Sequence, residues 1–369
     1  MTPRRPVRAL IVTNIPAPYR IPVYELLDDG ADVDLRVLYF AGSEADRDWT
    51  LPTSPVRSAT LEPRVLAWRG RYIHFSRGVW SAVAGARPDV VITTGFNPAH
   101  LVAILYCVLH GVPHVVQTDG TVASEAGLTG LHRLARRATA RRSAAFVAAS
   151  ESGLDLVRSW GAPADRLHRS PLATDNERFA PTERDTVRDI DVLFVGRFAE
   201  IKNPAFVLEV ARAAAGRLGR RLVVALVGSG PLRDRLLEAA AGLEEELDVR
   251  VVGFQQQDVL PSWYRRARVF LFPTRWDPWG LVANEASAAG VPVLTTPEAG
   301  SAGELVRDGE NGFVLPLDLE AWTDRLVRLL EDDRTWRAMS ERAQDLVERY
   351  GFAAAADGLR AAILQATRY

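Results

Sequence analysis

One lysine stands out in this sequence, because arginine takes every other position of fixed positive charge. The chain has 45 lysine and arginine residues, and Lys202 is its only lysine. It lies in the stretch FVGRFAEIKNP, shortly after Arg197. A guanidinium is a planar fork, whereas an ammonium is a compact charge on a flexible stem that fits a narrow gap. The stretch therefore predicts an anion site in which one cation must be compact.

A second stretch, TRWDPWGLVANEASAAG at 274–290, contains the start of a helix. Gly280 precedes the helical pattern, so the backbone N–H groups from Gly280 through Leu281 and Val282 to Ala283 should lack intrahelical partners. Such groups, together with the helix dipole, favour a bound anion. We therefore expect a phosphate at this point.

Asp277 precedes this helix and Glu285 lies within it. A carboxylate beside a phosphate is repelled, so each acid is expected to accept hydrogen bonds from hydroxyl groups next to that phosphate. Vicinal sugar hydroxyls are the obvious donors. With Arg197 and Lys202 on the phosphates, the residues predict a site for a nucleoside diphosphate joined to a sugar. For Asp277 the structural alternative is an aspartate that forms a turn before proline.

Both loops follow apolar runs that are typical of buried parallel strands. The runs of the first half are ALIVTN, VDLRVLYF, DVVITT, HVVQT and AAFVAAS, and those of the second half are IDVLFVG, RLVVALVG, VRVVGF, ARVFLFP, VPVLTT and GFVLPL. Helical patterns alternate with them, for example one that starts at Asn203 and Pro204 and stops at Gly219. The alternation predicts an α/β fold, in which ligands bind at the carboxyl ends of the strands.

A polar, proline-punctuated segment at 170–189 predicts a domain boundary. We expect an N-terminal domain at 1–172, a C-terminal domain at 190–350 and a terminal helix at 351–369 that is a candidate to pack on the N-terminal domain.

Composition excludes several classes of protein. The formal net charge is -1, which argues against a nucleic-acid partner. Cys107 is the only cysteine, so we expect no disulfide and a cytoplasmic setting. All six histidines precede the boundary at spacings that suggest no metal site. No G-x-G-x-x-G follows a strand, and no Walker A loop fits Lys202.

Two segments bear on membranes. The run LVAILYCVL at 101–109 is too short to span a bilayer and predicts a buried helix. The stretch LHRLARRATARR places arginines on one side of a helix, with leucines roughly opposite. That face is either simply solvated or a weak peripheral contact with the inner membrane face or an anionic acceptor. The arginines are Arg133, Arg136, Arg137 and Arg141.

In order along 190–350, several motifs together resemble the nucleotide-binding domain of family 4 retaining glycosyltransferases. They are FVGRFAEIKNP, VGSGPLRDRL, VVGF, LPSWYRRARVFLFPTRWDPWGLVANEASAAGVPVLTT and GSAGELVRDGENGFVLP. The resemblance implies the GT-B fold, with two Rossmann-like domains whose parallel sheets face each other across a cleft. It also implies a nucleotide sugar as co-substrate, with UDP or GDP expected, and neither a cofactor nor an essential metal.

The resemblance assigns roles to the motif residues. Arg197 and Lys202 would hold the donor diphosphate as catalytic residues, and Glu285 would bind the ribose. Asp277 stands where the family usually has a glutamate facing the donor sugar. The family's usual Glu-Gly-Phe-Gly appears here as Asp-Pro-Trp-Gly, whose proline stiffens the loop and removes an N–H.

Four further residues follow from the resemblance. Gly253 and Phe254 of the VVGF motif are assigned to donor binding. Arg20, in the loop TNIPAPYRIPVYELL after the first strand, is a candidate contact for a phosphate or the acceptor. Asp119, after HVVQT, is a candidate catalytic residue, and its alternative is the common Asp-Gly turn with Gly120.

These features predict a retaining glycosyltransferase that moves a sugar from a nucleoside diphosphate to an acceptor hydroxyl. Two alternatives stay open: a sugar-nucleotide epimerase or hydrolase of the same fold, and a non-catalytic subunit that binds sugar nucleotides. The sequence leaves the acceptor open among a glycan, a lipid and a small molecule, and it leaves the oligomeric state open.

Overall fold

A computed structural model describes residues 5–42, 54–61, 64–68, 71–75, 78–125, 127–182 and 187–368, with 64–68 and 71–75 as backbone alone. The chain divides into two compact units. Unit 1 comprises Met1–Ala173 and Phe352–Tyr369, and unit 2 comprises Thr174–Gly351.

Unit 1 is built on a parallel sheet. The strands of this half of the chain are β1 (Val7–Thr13), β2 (Val33–Tyr39), β3 (Arg57–Thr60), β4 (Arg64–Trp68), β5 (Arg71–Phe75), β6 (Val90–Thr93), β7 (His114–Thr118), β8 (Ala145–Ala148) and β9 (Leu167–Arg169). Seven of them form the sheet in the order β3-β2-β1-β6-β7-β8-β9, while β4 and β5 form a separate antiparallel pair.

Helices cover both faces of this sheet. The helices are α1 (Ile21–Asp28), α2 (Val79–Ala86), α3 (Pro98–His110), α4 (Gly130–Ala140) and α5 (Glu151–Ser159). Alternate residues of β1 enter different core layers, as the two-residue repeat of a strand requires. Ile11 packs in the layer that contains Tyr24 and Leu27 of α1, whereas Val12 packs in the layer that contains Val83 of α2 and Ala103 of α3.

Unit 2 repeats this architecture with six parallel strands in the order β12-β11-β10-β13-β14-β15. The strands are β10 (Ile190–Val195), β11 (Leu222–Val227), β12 (Leu247–Val252), β13 (Ala267–Phe272), β14 (Val293–Thr295) and β15 (Gly312–Val314). The helices are α6 (Asn176–Phe179), α7 (Pro204–Leu218), α8 (Arg233–Ala241), α9 (Leu260–Arg265), α10 (Leu281–Ala288), α11 (Leu319–Glu331) and α12 (Asp333–Val347).

The predicted α/β class is confirmed, and every predicted apolar run forms a strand. The strands that were not predicted are β3, β9 and the β4–β5 pair. β3 and β9 are short, and each lies at an edge of the sheet of unit 1. Their side chains are exposed in β3 and half-buried in β9, so no apolar pattern marks them.

α7 begins without the side-chain capping hydrogen bond that an asparagine at this position commonly makes. α7 begins at Pro204 and ends before Gly219, at the predicted positions. Asn203, however, adopts a left-handed backbone conformation with φ of 53° and makes no side-chain capping hydrogen bond. Its role is to turn the chain from the preceding loop into the helix, which asparagine tolerates better than most residues.

The prediction of a buried helix over 101–109 is wrong for half of its surface. α3 buries Ala103, Ile104, Tyr106 and Cys107 against unit 1. Leu105 and Leu109 on its other side are 51% and 65% exposed. An outer-layer helix buries only the face that contacts the sheet, so an all-apolar helix leaves apolar side chains in water. In the described ranges, no helix is both long and apolar enough to cross a bilayer.

The final helix, α13 (Phe352–Ala366), belongs to unit 1. It contributes Leu359 and Ile363 to the core layer that contains α1. The Ser170 hydroxyl donates to the Ala355 carbonyl at 2.7 Å, and the His168 ring lies 2.6 Å from the Gln365 side-chain oxygen. Gly358 lets this helix approach β9 closely, because a Cβ there would lie 2.7 Å from the carbonyl carbon of Arg169.

We expect Gly358→Ala to destabilise unit 1 by about 1–3 kcal/mol, since the added methyl group forces the backbones of α13 and β9 apart. Thermal unfolding of the full chain gives the measurement. Gly216→Ala in α7 is the matched control, because a Cβ there meets no atom within 4 Å. The Gly216→Ala variant should be as stable as the wild type or slightly more stable. Equal melting temperatures for the two variants would contradict the close approach.

Candidate functional site

The candidate site of unit 2 is formed by two loops that follow neighbouring strands. β10 and β13 pair directly in the sheet, so the loops after them leave its carboxyl edge side by side. The Ile201 carbonyl accepts a hydrogen bond from the Arg275 N–H at 2.8 Å and another from the Thr274 hydroxyl at 3.1 Å. These bonds fix the loop that carries Lys202 against the loop that carries Asp277.

Lys202 and Asp277 form an ion pair across this junction. The ammonium lies 2.5 Å from Asp277 Oδ2, with side chains 22% and 16% exposed. It also lies 3.4 Å from the Trp276 carbonyl and 5.9 Å from the centre of the Phe272 ring. The carboxylate and the carbonyl within reach of this one nitrogen suit the three diverging N–H donors of an ammonium. A planar guanidinium cannot point its donors in this way.

The Asp-Pro-Trp-Gly segment is held rigidly by the chain after β14. The Asp277 N–H donates to the Glu298 carbonyl at 3.2 Å, and the Asp277 carbonyl accepts from the Gly300 N–H at 2.9 Å. Gly300 has to be glycine here, because a Cβ would lie 2.6 Å from the carbonyl carbon of Pro278. Asp277 Oδ1 also accepts from the Trp279 N–H at 3.0 Å. Asp277 therefore forms the turn given above as its structural alternative, and it forms the ion pair as well.

The two tryptophans of this segment have opposite environments. Trp279 is 1% exposed, and its indole N–H donates to Asn284 Oδ1 at 2.8 Å. It anchors the loop in unit 2. Trp276 is 37% exposed at the position directly before Asp277. Trp276 was not among the predicted residues, although an aromatic residue beside a candidate sugar-binding acid is a usable signal.

α10 begins at the predicted place, directly after Gly280. Gly280 has φ of 91°, and a Cβ there would lie 2.8 Å from Phe272 Cζ, so the position requires glycine on both counts. In the part of the chain that the structure describes, the N–H groups of Leu281 and Val282 have no protein acceptor. The Ala283 N–H donates to the Gly280 carbonyl at 2.9 Å. The prediction that the Ala283 amide is unpaired is thus wrong, because the left-handed backbone of Gly280 brings its carbonyl within reach of that N–H.

Arg197 lies in the same loop as Lys202, and it is exposed. Its neighbour Phe198 is clamped to the glycine-rich turn after β11: the Phe198 N–H donates to the Ser229 carbonyl at 2.7 Å. A Cβ on Gly230 would lie 2.8 Å from the Phe198 nitrogen. The glycines of VGSGP therefore serve backbone packing between two loops.

Glu285 is buried in α10, with an exposed fraction of 7%. The Tyr264 hydroxyl of α9 donates to Glu285 Oε2 at 2.7 Å. Burial raises the pKa of Glu285 to about 7, and the hydrogen bond from Tyr264 opposes that rise only in part. Tyr264 was not among the predicted residues, since nothing in the motif YRRARVF links it to an acid further along the chain.

Gly253 and Phe254 follow β12, the edge strand of the unit 2 sheet. Both are exposed, and the Phe254 side chain is 39% accessible. An exposed phenylalanine at the carboxyl end of a strand presents an aromatic face on which a flat group can stack.

In unit 1 the two predicted residues Arg20 and Asp119 form an ion pair, with Arg20 almost wholly buried. Although burial opposes its charge, the adjacent Asp119 carboxylate and nearby tyrosines raise the pKa of Arg20. Burial raises the pKa of Tyr24, which lies beside them. Asp119 is the more accessible partner, at 38% of its side chain. No pattern along the chain indicates that these two residues meet.

Gln117 is a further buried polar residue that was not predicted. It is 2% exposed in β7, and neither its side-chain oxygen nor its nitrogen has a partner within the described residues. Gln117 and Asp119 are two positions apart, which places them on the same side of an extended chain. A glutamine in the otherwise apolar run HVVQT is the signal that could have found it.

Two family models match the chain in succession. The Glycosyl transferase 4-like domain covers residues 23–173, and the Glycosyl transferases group 1 family covers residues 175–346. The chain belongs to the family 4 glycosyltransferases of GT-B fold and is a glycosyltransferase.

Curated relatives agree with this assignment. Alpha-D-kanosaminyltransferase from Streptomyces kanamyceticus is 30% identical over 68% of this chain and 69% of its own length. A D-inositol 3-phosphate glycosyltransferase from Nocardia farcinica is 35% identical over 57% of this chain and 50% of its own length. The chain thus spans between half and about two thirds of the length of these relatives.

Solved structures share the fold at low sequence identity. HepE from Anabaena, in complex with UDP and glucose, has a TM-score of 0.73 at 16% identity and covers 97% of this chain and 99% of its own. Sucrose-phosphate synthase from Thermosynechococcus elongatus has a TM-score of 0.70 at 17% identity and covers 97% of this chain and 98% of its own.

We expect Glu285→Gln to change how stability depends on pH. With the pKa raised from 4.5 to about 7, the folded protein keeps a proton that the unfolded chain releases. Stability from this group is fully present below about pH 4.5 and is lost as the pH rises through about 7, by at most about 3 kcal/mol. The glutamine variant lacks this loss, so its melting temperature relative to wild type should rise between about pH 5 and 8.

Glu238→Gln on α8 is the control, because Glu238 is exposed. Its melting temperature should follow that of the wild type across the same pH range. If the difference between Glu285→Gln and wild type stays constant with pH, Glu285 is ionised in the folded protein at all these values and the assignment of its pKa is wrong.

Proposed function

We propose that this glycosyltransferase moves a sugar from a nucleoside diphosphate sugar to an acceptor hydroxyl and retains the configuration at the anomeric carbon. One observation carries the proposal: the Lys202 ammonium sits at the junction of two loops beside the start of α10. Lys202 and Gly280 both adjoin the Phe272 ring, so the cation and the open helix start lie close together. That HepE was solved with UDP-glucose supports a nucleotide sugar as the donor.

The diphosphate is bound by opposite charge and by backbone donors. Asp277 takes one N–H of the Lys202 ammonium, and the weak contact with the Trp276 carbonyl takes another. The third points to a phosphate oxygen. The Leu281 and Val282 amides donate to the same group, favoured by the helix dipole. Arg197, on the same loop as Lys202, supplies the second cation.

The carboxyl groups then contact the sugars. Glu285 Oε2 accepts the hydrogen bond of the Tyr264 hydroxyl. The other carboxylate oxygen of Glu285 accepts a hydrogen bond from a ribose hydroxyl. Asp277 is fixed by Lys202 and by the Trp279 amide, which makes it a rigid wall of the site for the transferred sugar. Phe254 provides a surface on which the base stacks.

In the chemical step the bond between the anomeric carbon and the diphosphate oxygen breaks, and the acceptor oxygen bonds to that carbon on the same face. The departing phosphate oxygen takes the proton of the acceptor hydroxyl. The products are the glycosylated acceptor and the nucleoside diphosphate. Lys202, Arg197 and the amides of α10 stabilise the charge that develops on the leaving group, and one such contact typically contributes about 2.7–4 kcal/mol.

The first test identifies the nucleotide and then uses it. Thermal stabilisation by UDP, GDP, ADP and TDP should single out one base, because only a bound ligand shifts the melting temperature. With the matching donor, Lys202→Arg is expected to lower the rate of transfer by more than about tenfold, since the guanidinium loses the compact fit beside Asp277. Arg235→Lys, at an exposed ion pair with Glu200, is the control and should retain full activity.

Two outcomes would overturn the proposed reaction. The first is conversion of the donor to an isomerised sugar, at an undiminished rate, when no acceptor is present. The second is nucleotide binding with no transfer to any of a panel of hydroxyl acceptors, which would indicate a binding subunit. Activity of Lys202→Arg within about twofold of the wild type would instead remove the role given to the Lys202 ammonium.

We assign acceptor recognition to the Arg20–Asp119 pair of unit 1. Its charges compensate each other, and Asp119 keeps an accessible carboxylate, so the pair suits a neutral hydroxyl compound.

Asp119→Asn should raise the KM for the acceptor by about tenfold, as expected for loss of a charged hydrogen bond. Hydrolysis of the donor without acceptor should change by less than about twofold. Asp155→Asn, at an exposed pair with Arg158, is the control. An unchanged KM for the acceptor in Asp119→Asn would remove the assignment.

A further inference from the structure

α3 carries a stripe of aliphatic side chains on its outer face. Its members are Leu101, Val102, Leu105, Val108 and Leu109, and all are exposed. Their spacing of three, four and seven residues places them on one side of the helix. An outer helix of a globular protein normally presents polar residues there. The stripe is therefore an apolar surface exposed to solvent, where a polar one would be expected.

α4 extends this surface and adds positive charge. Leu131 and Leu134 are 76% and 63% exposed. α4 buries Thr139 and Ala140, so its leucines face solvent, as do three of its four predicted arginines. At 3.6 residues per turn the leucine row lies beside the arginine row formed by Arg133, Arg137 and Arg141.

The two helices lie on the same face of the unit 1 sheet. In the register of β6 and β7, Ile92 pairs with Val115 and Thr93 with Val116, so Ile92 and Val115 share one face. Those two belong to the layer that contains α1. α3 packs on Val91 and α4 on Val116, which both point to the opposite face.

A cavity of about 480 Å³ joins the two features. Ile104 and Val108 of α3 line it on one side, and Arg141 and Arg142 at the end of α4 line it on another. Val108 of the stripe and Arg141 of the arginine row therefore meet at one cavity. We call the stripe and the arginine row together the α3–α4 surface.

The charge of the α3–α4 surface is one-sided. No aspartate or glutamate occurs at 90–118 or at 126–150. Arg136 is the half-buried exception among the arginines of α4, because it pairs with Glu125. Among the described residues, no carboxylate lies within ion-pair distance of Arg133, Arg137, Arg141 or Arg142. The neighbouring acids Asp89 and Asp155 are themselves paired with Arg8 and Arg158.

We infer that the α3–α4 surface docks on a bilayer that contains anionic phospholipid. Aliphatic side chains beside unneutralised arginines, without acids, have the composition of helices that lie in a membrane interface. Trp80 adjoins the end of the stripe, 5.1 Å from Tyr106 between ring centres, and it is 39% exposed. Tryptophan is favoured at the level of the headgroups. A protein partner is less well matched, because the centre of a protein interface is enriched in aromatic residues.

Sedimentation of the full-length protein with vesicles tests this inference, which does not depend on the proposed reaction. The protein should partition at least about tenfold more strongly onto phosphatidylcholine vesicles that contain about 30% phosphatidylglycerol than onto pure phosphatidylcholine, because of the arginines. Leu105→Gln/Leu109→Gln should reduce partition onto the anionic vesicles by about tenfold or more. Arg137→Gln/Arg141→Gln should reduce it by about tenfold.

Leu237→Gln/Arg235→Gln in α8 of unit 2 is the matched control, with an exposed leucine and an exposed arginine. It should bind vesicles as the wild type does, and all variants should melt within a few degrees of the wild type. The inference is overturned if the wild type shows no preference for anionic vesicles, or if the leucine variant binds them as well as the control. It is also overturned if, without lipid, the wild type dimerises through Leu105 and Leu109, as sedimentation velocity of the variants would reveal.

Discussion

The ion pair between Lys202 and Asp277 is the charged contact between the two loops that form the candidate site of unit 2. It spans the loops that follow β10 and β13, two strands that are neighbours in space and far apart in sequence. Backbone bonds to the Ile201 carbonyl hold the loops together, so the side chains do not have to do so alone. The pair can then keep a charged amine in a position that is about four-fifths buried, where an isolated charge would be costly.

Rigidity around this pair comes from small residues as much as from polar contacts. Gly280, Gly300 and Gly230 each allow an approach that a Cβ would block, and each lies in a different loop at the same edge of the sheet. Trp279 fixes the segment from below through its buried indole. A site built this way presents backbone amides and charges in set positions, which favours binding an anion without prior rearrangement.

Local patterns in the sequence predicted most of the fold. Continuous apolar runs marked the central strands, because both faces of those strands are covered, and the start and end of α7 followed from Pro204 and Gly219. Edge strands such as β9 were missed because they carry no such pattern.

The motif residues of unit 2 were placed in the correct loops, but their pairing was not foreseen. Tyr264 with Glu285 and Arg20 with Asp119 are joined by tertiary packing, which no spacing along the chain encodes. The covered side of α4, which contains Thr139 and Ala140, was likewise not predicted, since only the packed structure shows which side of a helix is covered.

Unit 1 is completed by α13, which follows unit 2 in the chain. Leu359 and Ile363 fill the core layer that Tyr24 and Leu27 help to build, while the whole of unit 2 is encoded between these two sets of residues. During translation the ribosome must therefore deliver the whole of unit 2 before that layer can close. Until then the part of that apolar sheet face that α13 covers stays exposed, whereas unit 2 is synthesised as one uninterrupted stretch.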